Sequence, residues 1–149
     1  MAGTGMLARL KDRVRAATRR GAGLRVGYAP DHDGEADPGE VVWTWVAYED
    51  DPSQGKDRPV LVIGWDGPTL AVVPLSSKDH TDRRDAHEWV PVGSGGWDRS
   101  GRPSFADASR LLRVAPAAVR REGAALDRRR FDEVVARVRA LHGDVGAGS

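Results

Sequence analysis

The sequence predicts a small, mainly β domain, an SH3-like barrel closed by a C-terminal helix. Short apolar runs with two-residue alternation recur between residues 41 and 114, which is the spacing of half-buried strands. Asp-, Gly- and Pro-rich turns separate these runs. A three-four pattern of apolar residues follows them near the end of the chain, which predicts one late helix. Short strands followed by a single helix are typical of a small closed barrel.

Composition limits the classes of function. A chain of 149 residues suits one domain with a hydrophobic core, and no apolar run approaches the ~18 residues of a membrane span, so we expect no membrane partner. The absence of cysteine excludes disulfides, thiol nucleophiles and cysteine-ligated zinc. The first residues lack the long apolar core of a secretory signal, and we therefore expect a cytoplasmic protein.

The net charge of +1 hides a segregation of charge along the chain. Residues 1–30 carry seven Lys and Arg against Asp12 alone, and residues 99–139 carry eleven Arg against five acidic residues. Residues 31–57 reverse this with nine acidic residues against Lys56. Separated basic surfaces suit a polyanion such as RNA, but the charge runs taken alone favour a solvated arginine-rich surface.

The N-terminal region is predicted to lie apart from the barrel. Residues 4–20 place apolar side chains on one face and basic side chains on the other, which predicts a basic amphipathic helix. The following residues up to Pro38 are rich in Asp, Gly and Pro and indicate a linker. We therefore divide the chain into an extension (1–37), the barrel domain (38–143) and a flexible tail (144–149).

Five strands are predicted in the barrel domain. The central pair flanks Asp66-Gly67-Pro68 and reads as a hairpin, and Pro91 favours a sheet edge for the fourth strand. Trp43, Trp45 and Trp89 lie on strands and are expected in the core. The predicted strands are Val41 to Val46, Val60 to Trp65, Leu70 to Leu75, Glu88 to Val92 and Arg110 to Val114.

The late helix has signals at both ends. Asp127 is a good N-cap, and Leu126 and Phe131 have the spacing of a hydrophobic staple. Gly143 is expected to end the helix. The apolar residues that share one helical face are Phe131, Val134, Val135, Val138 and Leu141.

Three segments suggest a phosphate site. Gly39-Glu40 precedes the first strand, Arg58-Pro59 opens the second, and Pro74-Leu75-Ser76-Ser77 ends the third. If these ends meet at the mouth of one sheet, Arg58 and Ser76 can hold a phosphate together, since a guanidinium fork matches two phosphate oxygens. The alternatives are an Arg58 paired with Glu40 or an acidic loop residue, and a Ser76 that bonds its own turn.

These segments resemble the PemK/MazF family of toxin-antitoxin ribonucleases. The likeness continues through residues 109–114 and 122–127 and covers about two thirds of the chain. The resemblance implies a barrel of the PemK/MazF/CcdB type, and a metal-independent endoribonuclease that cuts single-stranded RNA by 2′-hydroxyl attack. It implies Arg58 and Ser76 as catalytic residues, with Ser76 in place of the family's threonine. It also implies a homodimer, a cognate antitoxin, and operator DNA as a partner only of the toxin–antitoxin complex.

Supporting residues cluster beside these two. Ser77, Lys78, Asp79 and His80 directly follow Ser76, and Lys56 precedes Arg58. His80 can act as acid or base near neutral pH, although a lone loop histidine is more often simply solvated. The four histidines form no metal-binding pair of the His-x-x-x-His type, and we expect neither a metal nor a cofactor.

The glycine-rich segment 93–103 is predicted to be a mobile loop. Trp97 in this loop has two interpretations, a platform on which a base stacks beside Arg99, or a lid folded over the barrel.

Two other functions remain open from the sequence. One is a non-catalytic binding module for protein or nucleic acid, which the N-terminal extension and Asp57 beside Arg58 favour. The other is a gyrase-directed toxin of related fold. A measured ribonuclease activity would distinguish the endoribonuclease from both of these functions.

Overall fold

The computed structural model describes residues 24–29, 36–79 and 84–143. These residues form eight strands and one α-helix, with short 3-10 turns at Ala86–Glu88 and Pro116–Ala118. In chain order the elements are β1 (Leu24–Val26), β2 (Glu40–Ala47), β3 (Gly55–Asp66), β4 (Thr69–Ser76), β5 (Trp89–Gly93), β6 (Ser104–Asp107), β7 (Leu112–Val114), β8 (Arg120–Ala125) and α1 (Arg128–His142).

The strands form one curled antiparallel sheet in the order β5-β6-β4-β3-β2-β8. β1 adds to the far half of β3, and β7 adds to the first half of β4. Along one edge, β3 therefore pairs first with β2 and then with β1, and β4 pairs first with β7 and then with β6. Because the neighbouring strand changes along each of these two strands, the sheet bends into a half-barrel. The predicted mainly β barrel with a late helix is confirmed.

The β3–β4 hairpin forms as the Asp66-Gly67-Pro68 turn predicts. Gly67 adopts a positive φ of 60°, where a side chain is disfavoured, and the Thr69 hydroxyl donates to the Asp66 carbonyl at 2.8 Å. Farther along the hairpin, Val60 pairs with Pro74. This register fixes which residues of the two strands face each other at the open end of the hairpin.

β1 lies in the segment that the sequence predicts to be a linker. It pairs with β3 where Gly64 stands, and a Cβ on Gly64 would lie 2.0 Å from the Arg25 carbonyl oxygen. The glycine therefore allows the two backbones to approach closely. The linker prediction was wrong for residues 24–26.

The curled sheet has a hydrophobic cluster on each side. One cluster packs strand residues such as Leu61, Ile63 and Leu75 against the apolar face of α1. The other contains Val42, Val60, Val62 and Leu70 on the opposite side of the strands. Residues 60–64 of β3 and 70–75 of β4 are all buried, so side chains on both faces are covered and these two stretches are nearly continuous apolar runs.

The ends of α1 are those predicted. The Asp127 side chain accepts a hydrogen bond from the Arg130 amide at 3.1 Å, and the next residue begins the helix. Leu126 and Phe131 are both buried in the cluster beneath the helix, as a hydrophobic staple requires. Gly143 ends the helix with a φ of 90°.

Other strand predictions need correction. β3 begins at Gly55, so Arg58-Pro59 lies inside the strand and not at its start. β6 and β8 were not predicted, because a four-residue strand and the Arg- and Gly-containing segment 120–125 lack clear alternation. Trp45 is 54% exposed, and Trp43 and Trp89 are only half-buried and belong to neither hydrophobic cluster, so the prediction that these tryptophans lie in the core was wrong. The predicted N-terminal helix and C-terminal tail lie outside the described residues.

We expect Asp127→Ala to lower the free energy of unfolding by about 1 kcal/mol, because the helix loses its N-cap acceptor. The hydrogen bond from the Arg130 amide lowers the pKa of Asp127 below its ordinary value of 3.8. The stabilisation is therefore complete above pH 3.8 and is lost as the pH falls through the lowered folded-state value. Urea unfolding at several pH values measures the difference.

Asp132→Ala is the matched control, since Asp132 is also acidic and pairs with Arg128 on the exposed side of α1. A cap variant no less stable than this control would contradict the assignment of Asp127.

Candidate functional site

A groove of about 410 Å³ opens at the end of the β3–β4 hairpin. We call it the Arg58 groove. Its walls come from β3, the end of β4, the loop between β2 and β3, and the segment after β6. The polar side chains that line it are Tyr48, Glu49, Asp50, Lys56, Arg58, Ser76, Ser77, Lys78, Asp107 and Arg110.

The hairpin register brings Arg58 and Ser76 to the same wall. Val60 pairs with Pro74, and Arg58 and Ser76 lie two residues beyond this pair on their strands. Side chains two residues apart lie on the same face of a strand, so both residues continue the face of the Val60–Pro74 pair. The two residues for which the sequence predicts a phosphate site thus line one groove, together with Lys56, Ser77 and Lys78.

The Arg58 side chain is half-buried and makes no hydrogen bond or ion pair within the described part of the chain. Among the acidic partners considered from the sequence, Glu49 and Asp50 line the same groove, and two others are engaged elsewhere. Glu40 accepts from the Asp37 amide, and Asp57 forms a 2.6 Å ion pair with Arg120. Hydrogen bonding from Arg120 lowers the pKa of Asp57, so this carboxylate is ionised and paired. The positive charge of Arg58 is left for an anion.

The Ser76 hydroxyl oxygen accepts a hydrogen bond from the Lys78 amide at 3.1 Å. This is the turn contact anticipated as the alternative role for Ser76. It uses a lone pair of the oxygen and leaves the hydroxyl hydrogen available as a donor. The contact also fixes the side chain without a methyl group, so turn and binding roles are compatible.

The sequence did not single out several residues of the groove. Glu49 and Asp50 add exposed carboxylates, and Arg110 adds a cation whose Nη2 donates to the Ala47 carbonyl at 2.9 Å. Asp107 is nearly buried and accepts from the amide and hydroxyl of Ser109. Glu49 and Asp50 follow β2, whereas Asp107 is the last residue of β6 and Arg110 follows that strand. Only the pairing of β6 with β4 brings Asp107 and Arg110 to the groove.

The remaining predicted residues lie outside the Arg58 groove. Trp97 is 4% exposed, and its indole nitrogen donates to the Ser104 hydroxyl at 3.0 Å, so in this conformation it packs as a lid and presents no ring for stacking. Arg99 lines a neighbouring recess. Asp79 is exposed and is not part of the groove wall, and His80 lies outside the described residues.

A family model for PemK-like, MazF-like toxins of type II toxin-antitoxin systems matches residues 37–142. The chain belongs to this family. Members of the family are generally endoribonucleases. The match covers the whole sheet except β1, and it includes α1 and every residue of the Arg58 groove.

Two solved structures that contain MazF share the fold of this chain. They are crystal structures of MazE-MazF from Deinococcus radiodurans, form III and form II, each with a TM-score of 0.51. Form III is 16% identical and covers 72% of this chain and 96% of its own, and form II is 18% identical and covers 78% and 98%. Mycobacterium tuberculosis toxin MazF-mt6 has a TM-score of 0.48 and 15% identity, and the match covers 68% of this chain and 95% of MazF-mt6. No curated protein matches the chain in sequence.

Within the described ranges, no helix of the chain is long and apolar enough to cross a membrane. No group of three or more His, Asp and Glu side chains there is arranged to hold a metal ion.

Arg110→Ala should loosen the loop between β2 and β3, because the guanidinium holds the Ala47 carbonyl just before that loop. Loss of a hydrogen bond from a charged donor should speed hydrogen exchange in residues 48–54 about tenfold. Hydrogen exchange followed by mass spectrometry measures this change.

Arg113→Ala removes an arginine that pairs with Asp66 at the other end of the hairpin. Equal exchange in the two variants would show that Arg110 does not restrain the loop.

Proposed function

We propose that the protein is the toxin of a type II toxin–antitoxin system and a metal-independent endoribonuclease that cuts single-stranded RNA. One observation carries this proposal. The Arg58 guanidinium, without a partner among the described residues, lines the same groove wall as the Ser76 hydroxyl. The family, whose members are generally endoribonucleases, supplies the class of reaction.

The residues of the Arg58 groove suit attack by a 2′-hydroxyl on the adjacent phosphate. In that reaction the 2′-oxygen bonds to phosphorus and its proton passes to a base, while the bond from phosphorus to the 5′-oxygen breaks and that oxygen takes a proton from an acid. Arg58 stabilises the charge that develops on the phosphate oxygens, and Ser76 donates a hydrogen bond to one of them. Glu49 and Asp50 supply carboxylates that can accept the proton. Lys56 and Lys78 attract the RNA backbone.

We further propose a homodimer and an acidic antitoxin as partners. The Deinococcus radiodurans structures contain MazE together with MazF. A groove with the cations Lys56, Arg58, Lys78 and Arg110 attracts an acidic peptide by the same charges that attract RNA. Binding of an antitoxin there would exclude the RNA.

Arg58→Ala should lower the rate of RNA cleavage by roughly 10²- to 10³-fold, because it removes the main stabilising charge from the phosphate. The assay incubates purified wild-type protein and the variant with a long single-stranded RNA in EDTA and maps the cut ends. Cuts at a repeated short motif that disappear in the folded variant would support the proposal.

Arg113→Ala is the control here as well, because it removes an equal charge far from the groove. A folded wild-type protein that makes no cuts would overturn the ribonuclease. A supercoiling assay with gyrase would then separate a gyrase-directed toxin from a binding module.

Ser76→Ala should reduce cleavage about 10-fold or more, since a hydrogen bond to a charged phosphate is lost. Ser76→Thr keeps the hydroxyl and adds a methyl that restricts its rotamer, so it should match or exceed the wild-type rate.

Single-turnover rates of the three proteins measure these effects. Full activity of Ser76→Ala would show that the Ser76 hydroxyl serves the turn to Lys78 only.

A further inference from the structure

A second depression lies beside the Arg58 groove, and we call it the Trp43 recess. It has a volume of about 550 Å³, within the range of about 300–1,000 Å³ that is usual for small-ligand sites. The half-buried Trp43 and the buried Trp97 line it, and the loop between β5 and β6 forms its rim. The polar residues at its edge are Asp57, Asp98, Arg99, Arg102 and Arg120.

A narrow passage joins the groove to the recess. Lys56, Arg58 and Ser76 line both the passage and the Arg58 groove. Trp43 and Asp98 line both the passage and the recess. A chain whose phosphate is held by Arg58 and Ser76 can therefore continue along the surface into the recess.

The Trp43 ring is held in place. Its indole nitrogen donates to the Trp97 carbonyl at 3.2 Å, and Trp97 is itself anchored to Ser104. Gly95 permits this arrangement, since a Cβ there would lie 2.1 Å from the Trp97 ring. The buried Trp97 thus positions a second tryptophan, whose ring lines the recess as a fixed platform.

The charges at the rim favour a nucleotide over an acidic peptide. Asp98 accepts from Arg102 at 3.0 Å and Asp57 pairs with Arg120, so these four side chains largely neutralise one another. Arg99 is exposed and makes no ion pair or hydrogen bond within the described part of the chain. An aromatic face with one available arginine suits one base and one phosphate, whereas an acidic peptide offers no base to stack on the ring.

We propose that the Trp43 recess binds a nucleotide of the RNA next to the cut, with its base stacked on Trp43 and a phosphate on Arg99. This inference rests on the proposed ribonuclease function. The recess would then help to choose which bases flank the cut, because its depth and fixed ring favour some bases over others.

The test uses a short single-stranded RNA around the mapped cut, with a 2′-deoxy sugar at the cut so that it is bound but not cleaved. An abasic sugar replaces one nucleotide at a time. At one position next to the cut, the loss of the base should weaken binding to the wild-type protein by on the order of 5- to 150-fold. In Trp43→Leu, the same replacement should leave the dissociation constant almost unchanged. In Trp43→Phe, which keeps an aromatic ring, most of the loss of affinity should remain.

Arg99→Ala should weaken binding of the intact RNA and reduce its salt dependence, since one phosphate contact is lost. Arg129→Ala is the matched control, because Arg129 is exposed on α1 away from the recess and is likewise unpaired within the described part of the chain. Fluorescence anisotropy gives the dissociation constants, and thermal unfolding confirms that each variant is folded.

Equal abasic penalties in wild-type protein and Trp43→Leu at every position would overturn the proposal. Variants that bind RNA normally but lose affinity for a glutamate-rich peptide would also overturn it, and would assign the recess to a protein partner. The proposed ribonuclease activity is tested separately, by incubating the protein with all-ribose RNA in EDTA and looking for cuts. If the protein makes no cut, the same binding measurements are made with a ribonucleotide oligomer of uniform sequence.

Discussion

The pairing of β3 with β4 is the constraint on which the site depends. Val60 opposite Pro74 fixes the register, and a shift by one residue would turn Arg58 or Ser76 to the other face of its strand. The register is itself fixed by burial, because both faces of the hairpin are packed, one under α1 and the other in the cluster with Val42. Polar residues follow where the apolar run ends, so the core determines the position of the groove.

Charge pairing separates the cations of the surface into two sets. Arg102, Arg113 and Arg120 are each bonded to a carboxylate, while Arg58 and Arg99 carry no such bond within the described residues. The paired arginines fix loops and strand ends, and they contribute little net field at the surface. Arg58 and Arg99 lie in neighbouring depressions that share a passage, as a polyanion crossing both sites requires.

Trp97 shows how a buried residue can serve a surface site. Its side chain closes the barrel under a glycine-rich loop, and its carbonyl holds the Trp43 indole. Trp97, which the sequence suggests for base stacking, is therefore buried and contributes only by holding Trp43. The arrangement gives Trp43 a fixed orientation, which reduces the entropy lost when a base stacks.

The sequence by itself determined the mainly β class, the β3–β4 hairpin, the limits of α1 and the pairing of Arg58 with Ser76 in one candidate site. These depend on signals that are local, namely strand alternation, turn glycines, an N-cap and the residues at strand ends. Tertiary structure decided the rest. β1 and β6 are too short to show a period, Glu49, Asp107 and Arg110 reach the groove only through contacts distant in sequence, and Trp45 is exposed although its alternation resembles that of a core strand. Burial and strand partners depend on the whole fold, and no local pattern of residues contains them.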